Sequence, residues 1–116
     1  MQVRGKNMKL YSLIFIILIS FFSNSLMAGV WTSAGKLTRV QIGNTGDLTV
    51  EHEDMTVNPG SCSSTDFYRM PVSESHLNNV ASFALAVYIA NQKVSLWIES
   101  SCYNNRPKLN AIKIEE

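Results

Sequence analysis

A chain of 116 residues with ten basic and nine acidic side chains has room for one domain rather than two, and it lacks the basic excess that a nucleic-acid or anionic-membrane partner demands. The charge is unevenly spread: Arg4, Lys6 and Lys9 precede an apolar run from Leu10 to Phe22 that is broken by Tyr11, Ser12 and Ser20. Setting residues 1–28 aside leaves seven basic against nine acidic residues, a net charge of −2 with histidines neutral, which excludes a strongly basic binding face.

A positive start, an apolar stretch and a small-residue exit form the pattern of a secretory signal peptide over residues 1–28. At ~1.5 Å rise per residue the run reaches roughly 20 Å, short of a ~30 Å hydrocarbon core, so a stable membrane span is not expected. Cleavage is expected after Ala28, with Ser25 and Gly29 as alternatives because Leu26 is large for its place before the cut. Met8-Lys9 is itself a normal start for such a signal. No cysteine follows the run to accept a lipid. The expected mature part, residues 29–116, is one small domain, destined for the periplasm or the outside of the cell.

So small a domain buries a modest share of its surface and benefits from a covalent supplement. Cys62 and Cys102 both fall in the exported part, where an even count favours a disulfide; two free buried thiols are the alternative. The chain-entropy model assigns a loop of this length roughly 4 kcal/mol.

In chain order, Trp31 to Gly35 is a short lead-in segment. Lys36 to Ile42 alternates, with Thr38, Val40 and Ile42 on one side and Arg39 and Gln41 on the other. Gly43-Asn44-Thr45-Gly46 is a turn cluster. Asp47 to Glu53 alternates again, with Leu48 and Val50, and His52 as a third candidate, on one face. The two runs read as a β-hairpin. Asn58 to Ser64 is a loop by composition, and Phe67 to Met70 is a short third strand ended by Pro71.

The period then changes. Ser73 or Ser75 is expected to cap a helix running to about Asn91, with Glu74 in its first turn. Leu77, Val80, Ala81, Ala84, Val87 and Tyr88 share one face, and Phe83, Leu85 and Ile89 widen the stripe, so the helix is expected to be largely covered. Asn91 and Gln92 close it. Lys93 to Ser100 is a strong strand, with Val94, Leu96 and Ile98 opposite Ser95, Trp97 and Glu99. Tyr103 to Pro107 is a polar loop. Leu109 to Ile114 is the last strand, with Ile112 and Ile114 inward; Leu109 and Ala111 fall on the other parity, which points to a bulge or to an edge covered by another chain.

The expected architecture is mainly β with one helix, in the order β-β-β-α-β-β. A five-stranded barrel of the OB type and an α+β sheet with a helix on one face both fit that order.

Chemistry is sparse. His52 and His76 have no partner at metal-ligand spacing, so no metal and no cofactor are expected, and a solvent-facing His52 and a His76 near the helix start are the ordinary readings. Glu51, Glu53 and Asp54 make an acidic cluster that fits solvated strand surface better than a calcium site or a carboxylate pair. No G-x-S-x-G surrounds Ser61, Ser63 or Ser64, so no catalytic residues are assigned and the chain is not expected to be an enzyme. Trp31, Trp97 and Tyr103 are the candidate ligand contacts, aromatic faces with Asn, Ser and Glu neighbours, against the alternative of ordinary packing.

Several strings carry a resemblance. Gly29-Val30-Trp31-Thr32-Ser33-x-Gly35-Lys36, Asn58-Pro59-x-x-Cys62, Tyr68 before the Ala/Leu-rich helix, and Lys93-Val94-x-Leu96-x-Ile98-x-x-x-Cys102 with Pro107 and Ile112-x-Ile114 are similar to a family of small secreted bacterial proteins. That family more distantly resembles the B subunits of subtilase-type and pertussis-like AB5 toxins. The resemblance spans nearly the whole mature chain. It implies an OB-type barrel, a disulfide, ring-like homo-oligomers and binding of surface glycans, and it carries no sugar-contacting residue across. The expectation is a non-enzymatic secreted or periplasmic binding module whose partner is a cell-surface glycan or protein. The alternative is a periplasmic structural or inhibitor-like protein acting through a protein–protein interface.

Overall fold

The computed structural model describes residues 29–115; the signal-peptide reading of residues 1–28 lies outside the described residues. Within them run β1 (Gly29–Trp31), β2 (Gly35–Ile42), β3 (Leu48–His52), β4 (Tyr68–Met70), α1 (Leu77–Ile89), β5 (Lys93–Tyr103) and β6 (Arg106–Ile114). The chain is mainly β with one helix, an α+β class.

The strand order departs from expectation. Six strands replace five, because Gly29–Trp31 is itself a strand, paired antiparallel with Trp97–Glu99 of β5. Three residues are too few to display alternation. Their pairing needs glycine at its start: a Cβ on Gly29 would lie 2.4 Å from the Ile98 carbonyl oxygen and 2.9 Å from the Trp97 ring.

β5 pairs antiparallel with β1, β2 and β6, β2 with β3, and β3 with β4, while β4 meets β6 in parallel at Arg69 and Lys108. From β2 through β3, β4, β6 and β5, the pairings therefore return to β2. Two of these links are short: β2–β5 holds two residue pairs and β4–β6 one.

Bulges reset the inward parity of two strands. The β2–β3 register shifts between Leu37 and Arg39, so Leu37 is buried and Val40 half-buried, three residues apart. Of Thr38, Val40 and Ile42, expected together on one side of the strand, Thr38 and Ile42 are exposed. In β6, Trp97 faces Ala111 but Ile98 faces Leu109, leaving Asn110 as the extra residue of a bulge. Leu109 is fully buried and Ile114 is exposed, the reverse of the simple alternation.

Leu48, Val50, Tyr68, Met70, Val94, Leu96, Ile98 and Leu109 are fully buried, and α1 packs against them through Leu77, Ala84 and Val87. A thirteen-residue helix is marginal alone in water, so this packing holds it. Its start differs from expectation. His76 occupies the N-cap without a side-chain bond, and no acidic residue lies in the first turn. Ser73 and Ser75 do not cap because the chain turns tightly ahead of the helix, Glu74 N–H donating to Pro71 O and Leu77 N–H to Glu74 O. At the far end Asn91, at φ 56°, takes the left-handed position that ends helices, and Gln92 N–H returns to Val87 O. The helix is covered on one face only: Leu85 is 51% exposed and Ile89 75%, and Phe83 and Tyr88 are exposed with them.

The Cys62–Cys102 disulfide ties the β3–β4 loop to the end of β5 across a sequence separation of 40. Asn58 prepares that loop, its side chain donating to Cys62 O and accepting from Cys62 N–H. Gly60 passes so close to β5 that a Cβ would meet the Ser100 carbonyl oxygen at 2.7 Å. Among the described residues no helix is long and apolar enough to cross a membrane.

Candidate functional site

Two hairpin tips and the outer face of β2–β4 enclose a polar cleft of about 360 Å³. In the β2–β3 hairpin, Gly43 N–H donates to Asp47 O and Gly46 N–H to Gly43 O. Gly46 adopts φ +89° under Val72, whose Cγ2 would stand 2.8 Å from an added Cβ, so glycine is required there on both counts. The β5–β6 hairpin turns on Asn104 and Asn105, both at positive φ, as a two-residue turn of this twist requires. Residues 103–107, expected as a loop, are thus strand ends around a tight turn.

Asp47 joins the tips. Its Oδ1 accepts Val72 N–H at 2.8 Å, and its Oδ2 accepts the Tyr103 hydroxyl at 3.1 Å and the Thr45 hydroxyl at 3.2 Å. Burial works to raise its carboxyl, but the Val72 amide, the two hydroxyls and the Arg69 charge together hold it below the ordinary value. The same bond pushes the Tyr103 hydroxyl up.

β4 supplies the cleft's floor. Tyr68 and Met70 point into the core, so Arg69 between them emerges on the outer face opposite Thr49. Its guanidinium carbon lies 5.1 Å from the Phe67 ring centroid, and Arg106 covers the same ring at 4.1 Å. Arg106 is paired with Asp66 at 2.9 Å, and Arg39 with Glu51 at 3.2 Å. Arg69 has no such partner among the described residues, and its Nε is buried with no acceptor in the protein.

The three aromatic candidates do not form one site. Trp31 and Trp97 are cross-strand partners, ring centroids 5.3 Å apart and edge-on, with the Lys113 ammonium 4.2 Å from the Trp31 ring. Tyr103 stands at the other end of β5, in the cleft. Sequence reasoning missed Arg69, Asp47 and Asn104. The inward Tyr68–Met70 pair and the Asn-Asn turn were the available signals for two of them.

The histidine and acidic cluster lie at the far end of β3. His52 is 2% exposed, not solvent-facing. Its Nε2–H donates to Gly35 O at 3.0 Å and Val94 O at 2.9 Å, while Nδ1 accepts Asp54 N–H, which fixes the tautomer. The Asp54 carboxylate accepts four bonds, from the backbone and hydroxyl of both Thr56 and Ser33. The Thr56 hydroxyl first, then these amides, take it well below the usual carboxylate range against the effect of burial. Glu53 accepts Lys36 N–H, and Glu51 holds Arg39. These acids are thus spent on structure. Among the described residues no three His, Cys, Asp or Glu side chains converge as metal ligands.

Beside the helix start, His76 Nε2 is held by Asn110, and Lys108 lies 2.7 Å from Glu74 and 3.5 Å from Glu99. The Lys108 bond to Glu74 raises the ammonium and lowers the carboxyl.

No family model, no curated protein and no solved structure matches this chain.

Proposed function

We propose that the chain is an exported, non-enzymatic binding module that takes a surface glycan in the cleft between its two hairpin tips. The observation that carries the reading is the place of that cleft. With β1 set aside as an extension, we read the strand circuit β2-β3-β4-β6-β5, with α1 before β5, as that of a five-stranded OB-type barrel. Barrels of that type bind oligosaccharides and oligonucleotides on their second and third strands and on the loops that here correspond to residues 43–47 and 103–106. The net charge of −2 favours the sugar.

The lining suits the task. Asn44, Asn104, Gln41 and Thr45 offer side-chain amides and a hydroxyl to sugar hydroxyls, and Tyr103 adds an aromatic edge. The Trp31–Trp97 pair is a second aromatic face outside the cleft. A binding role is favoured over catalysis because the cleft's one carboxylate already accepts three bonds and the His52 ring is closed in by backbone. The disulfide supports export to an oxidising compartment, the periplasm or beyond.

A glycan array with the mature protein, followed by titration of any hit against Asn104→Ala, tests this reading. Binding that the substitution weakens at least about tenfold (~1.4 kcal/mol) supports it; an array without hits removes it.

A second reading rests on a different observation, the exposed apolar outer face of α1 with Leu85 and Ile89. That face fits contact with another protein, either a periplasmic partner or further copies of this chain in a ring. Light scattering on the mature protein distinguishes a ring from a monomer, and a strict monomer removes the oligomer.

A further inference from the structure

We infer that the folded domain is laid out to withstand endopeptidases that cut after lysine or arginine, whatever its cleft binds. Every basic residue of residues 29–116 lies in a strand: Lys36 and Arg39 in β2, Arg69 in β4, Lys93 in β5, and Arg106, Lys108 and Lys113 in β6. Neither α1 nor any connection between elements carries one. The connections nevertheless hold five acidic residues, Asp47, Glu53, Asp54, Asp66 and Glu74. Solvation of a loop is served by charge of either sign, so it does not account for a one-sided choice. Proteolysis does. A trypsin-type enzyme reads the cation in a pocket that ends in a carboxylate, and it needs the backbone on both sides of that residue to leave the fold. Long connections with small polar residues leave it most readily, whereas a strand must first open its ladder.

The backbone around these residues is held. Lys36 N–H donates to Glu53 Oε1 at 2.8 Å, and the Lys36 carbonyl accepts Glu53 N–H at 3.1 Å. The Lys93 carbonyl, the group such an enzyme would attack, accepts Glu115 N–H at 3.0 Å. That bond also fastens the chain beyond Lys113, which itself lies opposite Ser95. Arg39 lies opposite Glu51, and Arg69 has Thr49 on one side and Lys108 on the other. Arg106 stands nearest a turn, but it is tied to Asp66 at 2.9 Å and followed by Pro107, whose ring removes the amide N–H from the bond at risk. The segment best suited to nicking is the longest connection among the described residues, 53–67, rich in serine and threonine. The disulfide and the Asn58 clamp pin its middle, and Ser63 and Thr65 beyond them are exposed. It offers no lysine or arginine.

The test incubates the exported protein with trypsin in native buffer and locates cuts by mass after reduction, so that fragments joined by the disulfide separate. Ser63→Lys and Ser75→Lys are treated alongside, each placing one lysine at an exposed position in a connection. The expected result is cleavage at the new lysine at least about a hundredfold faster than at any residue of wild type within 29–115. The heated, reduced wild-type chain should be consumed on the timescale of the variants. Wild-type cleavage at a strand residue as fast as at the new lysines overturns the inference. So does resistance of both variants, because the fold then protects a basic residue wherever it stands. Cleavage at all sites together shows that opening of the whole domain sets the rate, and it overturns the inference as well. Should one variant fail to fold, the other decides.

Discussion

β3 lies between two aspartates, Asp47 directly before it and Asp54 two residues after it, and the two ends are finished differently. After its last residue, the Asp54 carboxylate accepts four hydrogen bonds, while His52 spends both ring nitrogens on backbone. Every polar atom named there has its partner within the chain. Before its first residue, Asp47 is also satisfied, but the arginine beside it is not. The closed end fastens β2, β3 and β5 where the β2–β5 ladder has only two residue pairs. The open end sits between two hairpin tips, with Arg69 lining the cleft between them. A network that closes on itself contributes stability, whereas a buried donor left without an acceptor costs it.

The hardest blow to this comparison falls on the closed end. Replacing His52 by Leu removes the donor that Gly35 O and Val94 O share and leaves Asp54 N–H without its acceptor. The expected loss is about 3 kcal/mol, since buried groups are left unpaired. Gly35 adds to the cost, because a Cβ there would already lie 2.9 Å from the imidazole, so the ring fills a space fitted to it. Urea unfolding measures the change; a loss under ~1 kcal/mol would mean that the short β2–β5 seam holds without its histidine.

The two aspartates give the next test. Asp54→Asn removes acceptor capacity from a site with four donors, and about 2 kcal/mol is expected; Asp47→Asn, with three donors, should lose roughly 1–2 kcal/mol. Both carboxyls lie below the ordinary 3.8 when folded, so each contributes stability that is complete above that value. That contribution is lost as pH falls through the folded value. Wild type should therefore weaken steeply below about pH 4, and each Asn variant less steeply. Equal acid slopes in wild type and Asp54→Asn would show that the closed end does not govern acid unfolding.

Much of the fold could be read from alternation and period. The β2–β3 hairpin, the helix and β5 were all visible because Leu48/Val50, Leu77/Ala84/Val87 and Val94/Leu96/Ile98 follow the spacing their elements require. The disulfide was legible from the even cysteine count together with the expectation of export. Bulges were not, since the register slip after Leu37 depends on a partner strand that local sequence does not name. β1 was missed because its three residues owe their pairing to distant Trp97 and Glu99. The cleft was the least legible part. Asp47, Arg69, Tyr103 and Asn104 come from four separate stretches, and an arginine's want of a partner is visible only once all its neighbours are in place.

The smallest expected effect is the one that separates the two ends most sharply. Arg69→Met keeps an unbranched chain as far as the Nε position and deletes a buried donor that has no acceptor among the described residues. Only the attraction to Asp47 and the stacking on half-buried Phe67 are given up. Those losses and the relief of the unpaired Nε oppose one another, so stability should stay within about 0.5 kcal/mol of wild type. The same substitution at a partnered arginine makes the control: Arg106→Met breaks the Asp66 pair, held at 2.9 and 3.3 Å, and leaves that carboxylate on Ser64 alone among side chains. About 1 kcal/mol should be lost there, because a two-pronged pair contributes more than a single exposed contact. If Arg69→Met proves the more damaging of the two, Arg69 is part of the framework and the cleft is as closed as the Asp54 end.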